Sequence, residues 1–115
     1  MAFIIIMIKK YRIKKNEEFN DIIAKKKAKS CDSFIIYYVP RKLDYSRVGI
    51  SVPKKTGDAV VRNKIKRQVR MMLANFYDFD NNNFDIIIIT KSKYLTKSFM
   101  ENSADLEKLI KSFIM

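Results

Sequence analysis

The sequence predicts a mixed α/β fold of the α+β sandwich type, with helices packed against one central sheet. Some stretches carry hydrophobic residues at helical spacing, and others are short runs of β-branched and aromatic residues. They follow in the order helix, strands, helix, strand, helix, which places one helix in a crossover between strands. The 115 residues, 48% of them hydrophobic, are enough for a single domain with one modest core over residues 1–115.

Residues 1–8 form an apolar N-terminal arm. The arm is too short to span a bilayer, because a membrane helix needs about 20 apolar residues. We expect it to be an extra edge strand or a disordered arm. The sequence from Met7 onward resembles an ordinary basic N-terminus, so Met7 is an alternative start.

The first helix is predicted to begin at Asn16, whose side chain is expected to cap it. Two glutamates follow at the positive end of the helix dipole. Phe19, Ile22 and Ile23 recur at helical spacing and predict its buried face. We expect this helix to fray in the lysine-rich run of residues 25–29.

Three strands are predicted, at residues 34–39, 47–52 and 85–90. In the first strand, alternation places Ile35 and Tyr37 on one face and the intervening residues on the other. The last strand contains four consecutive isoleucines. Such an unbroken run predicts burial on both faces, as in a central or parallel strand.

A long basic helix is predicted after Gly57, with Asp58 as its N-cap. On a helical wheel, the side expected to be buried carries Val61, Ile65, Val69 and Met72. The other side forms a cationic ridge of Arg62, Asn63, Lys66, Arg67 and Arg70. This helix can therefore pack against a sheet and present positive charge outward.

The closing helix is predicted from a capping box, Ser98 with Glu101. The apolar stripe that follows at helical spacing consists of Phe99, Leu106, Leu109, Ile110 and Phe113.

The charge balance indicates a polyanionic partner. The chain has 24 Lys and Arg against 12 Asp and Glu, a formal net charge of +12. Neutralised phosphates supply much of the affinity of nucleic-acid-binding proteins, so RNA or DNA is the favoured partner, and an anionic membrane surface is an alternative.

The composition argues against an independent active site. The chain has no His, which removes the commonest general base and zinc ligand. Cys31 is the only Cys, which excludes an internal disulfide and favours a small apolar side chain in a reducing compartment. The acidic residues are scattered, and no Gly-rich phosphate loop occurs.

Aromatic residues near the cations favour single-stranded nucleic acid, because bases stack on rings while phosphates meet positive charges. Phe19 and Tyr37 are the candidates, and Lys54 and Lys55 add charge just before the basic helix. Ordinary core packing is the alternative role of both aromatic side chains.

Two segments resemble the bacterial ribonuclease P protein family. Residues 47–70 read RVGISVPKKTGDAVVRNKIKRQVR, and residues 12–19 read RIKKNEEF. The aromatic strand and the late strand FDIIIITK also match, so the resemblance covers nearly the whole chain, from about residue 11 to residue 113.

The resemblance implies an αβββαβα fold with a mixed central sheet, a fourth, short strand and an unusual left-handed βαβ crossover. It implies the protein subunit of ribonuclease P, which binds a catalytic RNA and precursor tRNA and assists removal of the 5′ leader. Catalysis would reside in the RNA and its bound Mg²⁺, so no catalytic or metal-binding residue is expected in the protein. A cytoplasmic location is implied, without a membrane or a required protein partner.

The resemblance also assigns site residues. Those implied to bind RNA are Lys54, Lys55, Arg62, Asn63, Lys64, Lys66, Arg67 and Arg70. Those implied to form the leader-binding cleft are Phe19, Ile35 and Tyr37. The chain departs from the family pattern at Lys64, usually Arg, at Ile23, often Phe, and at Pro53, usually Ser or Thr.

Two other functions stay open at this point. One is a general RNA-binding or ribosome-assembly protein without a role in cleavage. The other is a free-standing metal-dependent nuclease.

Overall fold

The computed structural model describes residues 9–114, and the predicted N-terminal arm of residues 1–8 lies outside them. The helices are α1 (Asn16–Ala24), α2 (Ala59–Phe76) and α3 (Phe99–Ile114). The strands are β1 (Ala28–Ser30), β2 (Phe34–Pro40), β3 (Val48–Ser51) and β4 (Phe84–Thr90). Short 3₁₀ turns occupy Lys9–Tyr11, Lys54–Thr56 and Ser92–Thr96. The αβββαβα order is confirmed.

The strands form one mixed sheet in the order β1-β2-β4-β3. β2 runs antiparallel to β1 and β4, whereas β3 runs parallel to β4. Because β3 and β4 are parallel neighbours, α2 is the crossover between them. The left hand of this crossover stays a prediction.

The central position of β4 explains its sequence. Ile86, Ile87 and Ile88 are fully buried because β4 has a strand on each side and helices over both faces. The prediction of a strand buried on both faces is confirmed.

The predicted fraying at residues 25–29 is wrong. α1 ends at Ala24, and Lys26 takes a left-handed backbone conformation with φ 61°. The chain turns back there, and the Tyr38 N–H donates to the Lys27 carbonyl at 3.1 Å. The residues that follow form the edge strand β1, whose three residues are exposed, so it has no hydrophobic pattern by which the sequence could reveal it.

The sheet separates two apolar clusters. The larger cluster joins α2 and α3 to the sheet face that carries Phe34 and Ile36. The smaller cluster lies under α1 and consists of Ile13, Ile22 and Ile87, with Phe19, Tyr37, Val39 and Ile89 packed against it. The predicted alternation along β2 is therefore confirmed.

The helix ends agree with two of the three predicted caps. The Val61 N–H donates to the Asp58 carboxylate at 3.1 Å. Ser98 and Glu101 form the reciprocal capping box, with bonds of 3.0 and 3.1 Å. Asn16 is not the cap of α1: the helix begins at Asn16 itself, and the preceding residue makes no side-chain cap bond.

The predicted burial of Val61 is also wrong. Val61 is 38% exposed, whereas Ile65, Val69 and Met72 are buried together with Leu73. The buried stripe of α2 therefore lies further toward Leu73 than the wheel placed it. Val61 instead covers the turn before the helix, where a Cβ added to Gly57 would lie 3.0 Å from it.

Candidate nucleic-acid interface

A cleft of about 500 Å³ opens beside β3, the edge strand of the sheet. Ile50 and Ser51 of this strand line it, with Phe19 of α1 on one side. The segment before α1 is fixed to the same edge, because the Ile13 N–H donates to the Val48 carbonyl at 3.0 Å. The cleft thus joins α1, β3 and α2 at one place.

The cleft is strongly cationic. The charged side chains that line it are Arg12, Lys14, Lys66 and Arg70, and none of the described lining residues is acidic. Burial, and then the positive charge of Arg12, hold the pKa of Arg70 below its usual value. An anion between these guanidinium groups would relieve their repulsion, so the cleft suits a phosphate group.

The cations of α2 divide into two rows. Arg62, Lys66 and Arg70 are half-buried along the border of the apolar stripe, and the last two reach the cleft. The second row, Lys64 and Arg67 together with the neutral Asn63, is exposed to solvent.

Around the start of α2, one predicted RNA-binding residue is hydrogen-bonded to the backbone, and two others are exposed to solvent. Arg62 is tied to the turn before the helix, since its Nε donates to the Gly57 carbonyl at 3.1 Å. Lys54 and Lys55 are exposed on the 3₁₀ turn that leads to this helix. The positive charge was predicted to form one ridge. In the structure it begins at the 3₁₀ turn before α2 and continues along both rows of that helix.

The predicted leader residues are only partly brought together. Phe19 and Tyr37 are half-buried members of the apolar cluster under α1, and Phe19 also borders the basic cleft. Ile35 is half-buried on the same strand face, two residues from Tyr37, opposite Ile89 of β4. Neither Ile35 nor Tyr37 lines the basic cleft.

Two cleft cations, Arg12 and Lys14, were not among the predicted site residues. They lie in the extended segment before α1, where alternate side chains point the same way. The sequence could have indicated both residues as site candidates, because residues 12–19 form one of the two segments that carry the resemblance.

A second unpredicted feature is an ion pair between α1 and the sheet. Arg47 Nη2 lies 2.7 Å from Glu18 Oε2 and 3.1 Å from Asp85 Oδ2. Burial works to lower the pKa of Arg47, but the hydrogen bonds to both carboxylates outweigh it and raise that pKa. Arg47 is thus a cation of the segment of residues 47–70 that points into the protein.

The described residues provide no metal cluster. Within residues 9–114, no group of three or more His, Cys, Asp or Glu side chains is placed to hold a metal ion. Of the helices that the structure describes, none is long and apolar enough to cross a membrane. The interface therefore offers positive charge, hydrogen-bond donors and aromatic surface.

This fold and this interface define the class of the chain, a small basic α/β protein that binds nucleic acid. The family model described as Ribonuclease P matches residues 7–113. Over 103 residues, the chain is 44% identical to the ribonuclease P protein component of Mesoplasma florum, covering 89% of this chain and 94% of that protein. The chain belongs to the ribonuclease P protein family. It is the protein subunit of an endoribonuclease of tRNA processing, and its partner is RNA.

Solved structures agree in fold. A Staphylococcus aureus RNase P protein mutant with defective mRNA degradation activity superposes with a TM-score of 0.81 at 35% identity, covering 96% of this chain and 94% of that one. The RNase P protein from Thermotoga maritima gives a TM-score of 0.76 at 28% identity, with 89% and 96% covered. The family predicted from the two segments is confirmed.

Proposed function

We propose that the chain binds the catalytic RNA of ribonuclease P along α2 and its basic cleft. On the α1 side of the sheet it binds the 5′ leader of precursor tRNA, and so assists endonucleolytic removal of the leader. The observation that carries this proposal is the cleft itself, which combines four cations with no acidic side chain among its described lining residues and has Phe19 at its border.

The catalytic RNA fits the α2 side because a folded RNA presents a dense array of phosphates. The exposed Lys64 and Arg67 reach outward, while the half-buried Lys66 and Arg70 reach into the cleft. Contacts of this kind are sequence-independent and depend steeply on salt, as expected of a protein that recognises the backbone of one large RNA.

The leader fits the α1 side because it is single-stranded. Phe19 and Tyr37 stay partly exposed although both pack in the apolar cluster under α1. Bases stack on such rings without strong sequence preference. Ile35 extends the apolar surface along β2.

We propose that the Mg²⁺ needed for cleavage is bound mainly by the RNA subunit. Carboxylates of the chain have structural partners: Glu18 and Asp85 bind Arg47, and Asp58 and Glu101 cap helices. We further propose a cytoplasmic location, which the free thiol of Cys31 suits.

Reconstitution tests the function. The chain is combined with a ribonuclease P RNA at low Mg²⁺, and cleavage of a precursor tRNA is followed. We expect the protein to stimulate release of the leader at the mature 5′ end. A Lys66→Ala/Arg70→Ala double variant should stimulate less at the same concentration, since it removes two cleft cations.

Each rival has its own outcome. RNA binding without stimulated cleavage would favour a general RNA-binding protein. Cleavage of RNA by the protein alone would favour a nuclease. This measurement is included because the Staphylococcus aureus structure is described as a mutant with defective mRNA degradation activity. Absence of both binding and stimulation would refute the proposal.

A further inference from the structure

We propose that Arg47 is a positioning residue for leader binding. It holds Glu18, and through Glu18 it fixes α1 and the Phe19 ring against the sheet. This inference rests on the proposed function, because it assumes that the leader binds on the α1 side.

The geometry is that of a clamp with one cation between two carboxylates. Arg47 Nη2 contacts Glu18 Oε2 at 2.7 Å and Asp85 Oδ2 at 3.1 Å. Asp85 is 1% exposed, and it also accepts the Arg47 backbone N–H at 2.9 Å. The Arg47 carbonyl in turn accepts the Ile86 N–H at 3.0 Å, so the base of the clamp is built into the β3–β4 pairing.

Of the two carboxylates that bind Arg47, Glu18 belongs to α1 and Asp85 belongs to β4. Glu18 lies in the first turn of that helix and directly precedes Phe19. The Phe19 ring covers Gly49, which lies two residues after Arg47 along the β3 edge. The ion pair and the ring contact therefore attach the same turn of α1 to the same end of β3.

Among the residues that the structure describes, the apolar packing of α1 against the sheet buries one residue of the helix, so the ion pair adds a second kind of attachment. The helix has nine residues, one of them buried, Ile22, and no side-chain cap at its N-terminus. Isolated helices shorter than about 12–15 residues are marginal in water. Apolar contacts are not directional, whereas a hydrogen-bonded ion pair sets the rotation of the helix and hence the direction of Phe19.

The chain offers a matched pair of variants. Glu18→Ala and Glu17→Ala remove the same charge from the same helical turn, but Glu17 is exposed, and among the described residues the ion pairs of Arg47 are with Glu18 and Asp85. Each variant is assembled with a ribonuclease P RNA, and the affinities for precursor tRNA with and without its leader are compared. We expect Glu18→Ala to reduce the leader preference by roughly twofold to thirtyfold, the usual range for residues that act without ligand contact. Glu17→Ala should leave it within about twofold of the wild type.

A conservative variant separates positioning from folding. Glu18→Gln keeps a hydrogen-bond acceptor for Arg47 and should retain part of the leader preference that Glu18→Ala loses. Circular dichroism and urea unfolding should show that all three variants stay folded.

Different results overturn the two claims. The proposed leader site fails on either of two results: the wild-type assembly shows no leader preference, or Phe19→Ala does not reduce it. The positioning role of Arg47 fails alone if that preference exists but Glu18→Ala and Glu17→Ala change it equally, or if Glu18→Ala weakens the binding of leaderless tRNA as much as that of precursor tRNA.

Discussion

The aromatic ring of Phe19 lies against the backbone of Gly49. A Cβ atom added at residue 49 would stand 2.6 Å from Phe19 Cζ and 2.7 Å from Ile87 Cδ1. Only a glycine lets the ring approach β3 this closely, so the edge of the candidate leader site depends on a residue without a side chain.

Gly49→Ala should therefore destabilise the fold and displace Phe19. We expect a loss of about 1–3 kcal/mol in the free energy of unfolding, as is typical of overpacking. Urea unfolding measures it. Gly57→Ala is the control: its Cβ would lie 3.0 Å from the nearest atoms of Val61, a milder approach than 2.6 Å, and Val61 is exposed, whereas Ile87 beside Gly49 is fully buried. Equal cost at both positions would contradict the close approach at Gly49.

Tyr37→Ala should weaken binding of precursor tRNA more than binding of leaderless tRNA. If a base stacks on the ring, the leader-specific loss should be about 1–3 kcal/mol. The neighbouring Tyr38 is a matched control, because it lies on the other sheet face and stacks on Phe113 with ring centroids 4.4 Å apart. Tyr38→Ala should lower stability without changing the leader preference. A similar change in leader preference for both variants would place the leader elsewhere.

Removing a cation from the RNA surface should flatten the salt dependence of RNA binding. Arg62→Ala, Arg67→Ala and Arg70→Ala should each lower the slope of log K against log salt by about one phosphate contact. Lys111→Ala serves as control, since Lys111 pairs with Glu107 on α3 at 2.6 Å. A slope unchanged by the arginine substitutions would remove them from the interface.

The Arg47–Glu18 pair should make stability depend on pH in the acid range. The hydrogen bond from Arg47 holds the pKa of Glu18 below its ordinary value of 4.5. Because the folded state favours the carboxylate, its contribution is complete above pH 4.5 and is lost as the pH falls through the lowered pKa. The difference in unfolding free energy between wild type and Glu18→Gln should therefore shrink in that window.

The element pattern could be predicted from the sequence because its signals are local. Helical spacing, the isoleucine run and the caps at Asp58 and Ser98 depend on neighbours a few residues apart. β1 carried no such signal, because all three of its residues are exposed and it forms only by pairing with β2.

The candidate site was predicted in composition but not in arrangement. The sequence showed the cations of α2 as one basic face. In the structure, one row of them is half-buried and the other is exposed, because the rotation of α2 against the sheet brings one row close to the sheet. Val61 illustrates the limit of the helical wheel. The wheel places this residue on the apolar side of α2, but the packing of the helix leaves it exposed.

The family, the element types and the cationic surface could be predicted from the amino-acid sequence, since motif spacing, periodicity and charge are properties of the chain. That Arg12 meets Arg70 in one cleft, and that Arg47 lies between Glu18 and Asp85, became known from the folded structure. These groups are far apart in sequence, and their contacts exist because the β3–β4 pairing and the docking of α1 bring them together.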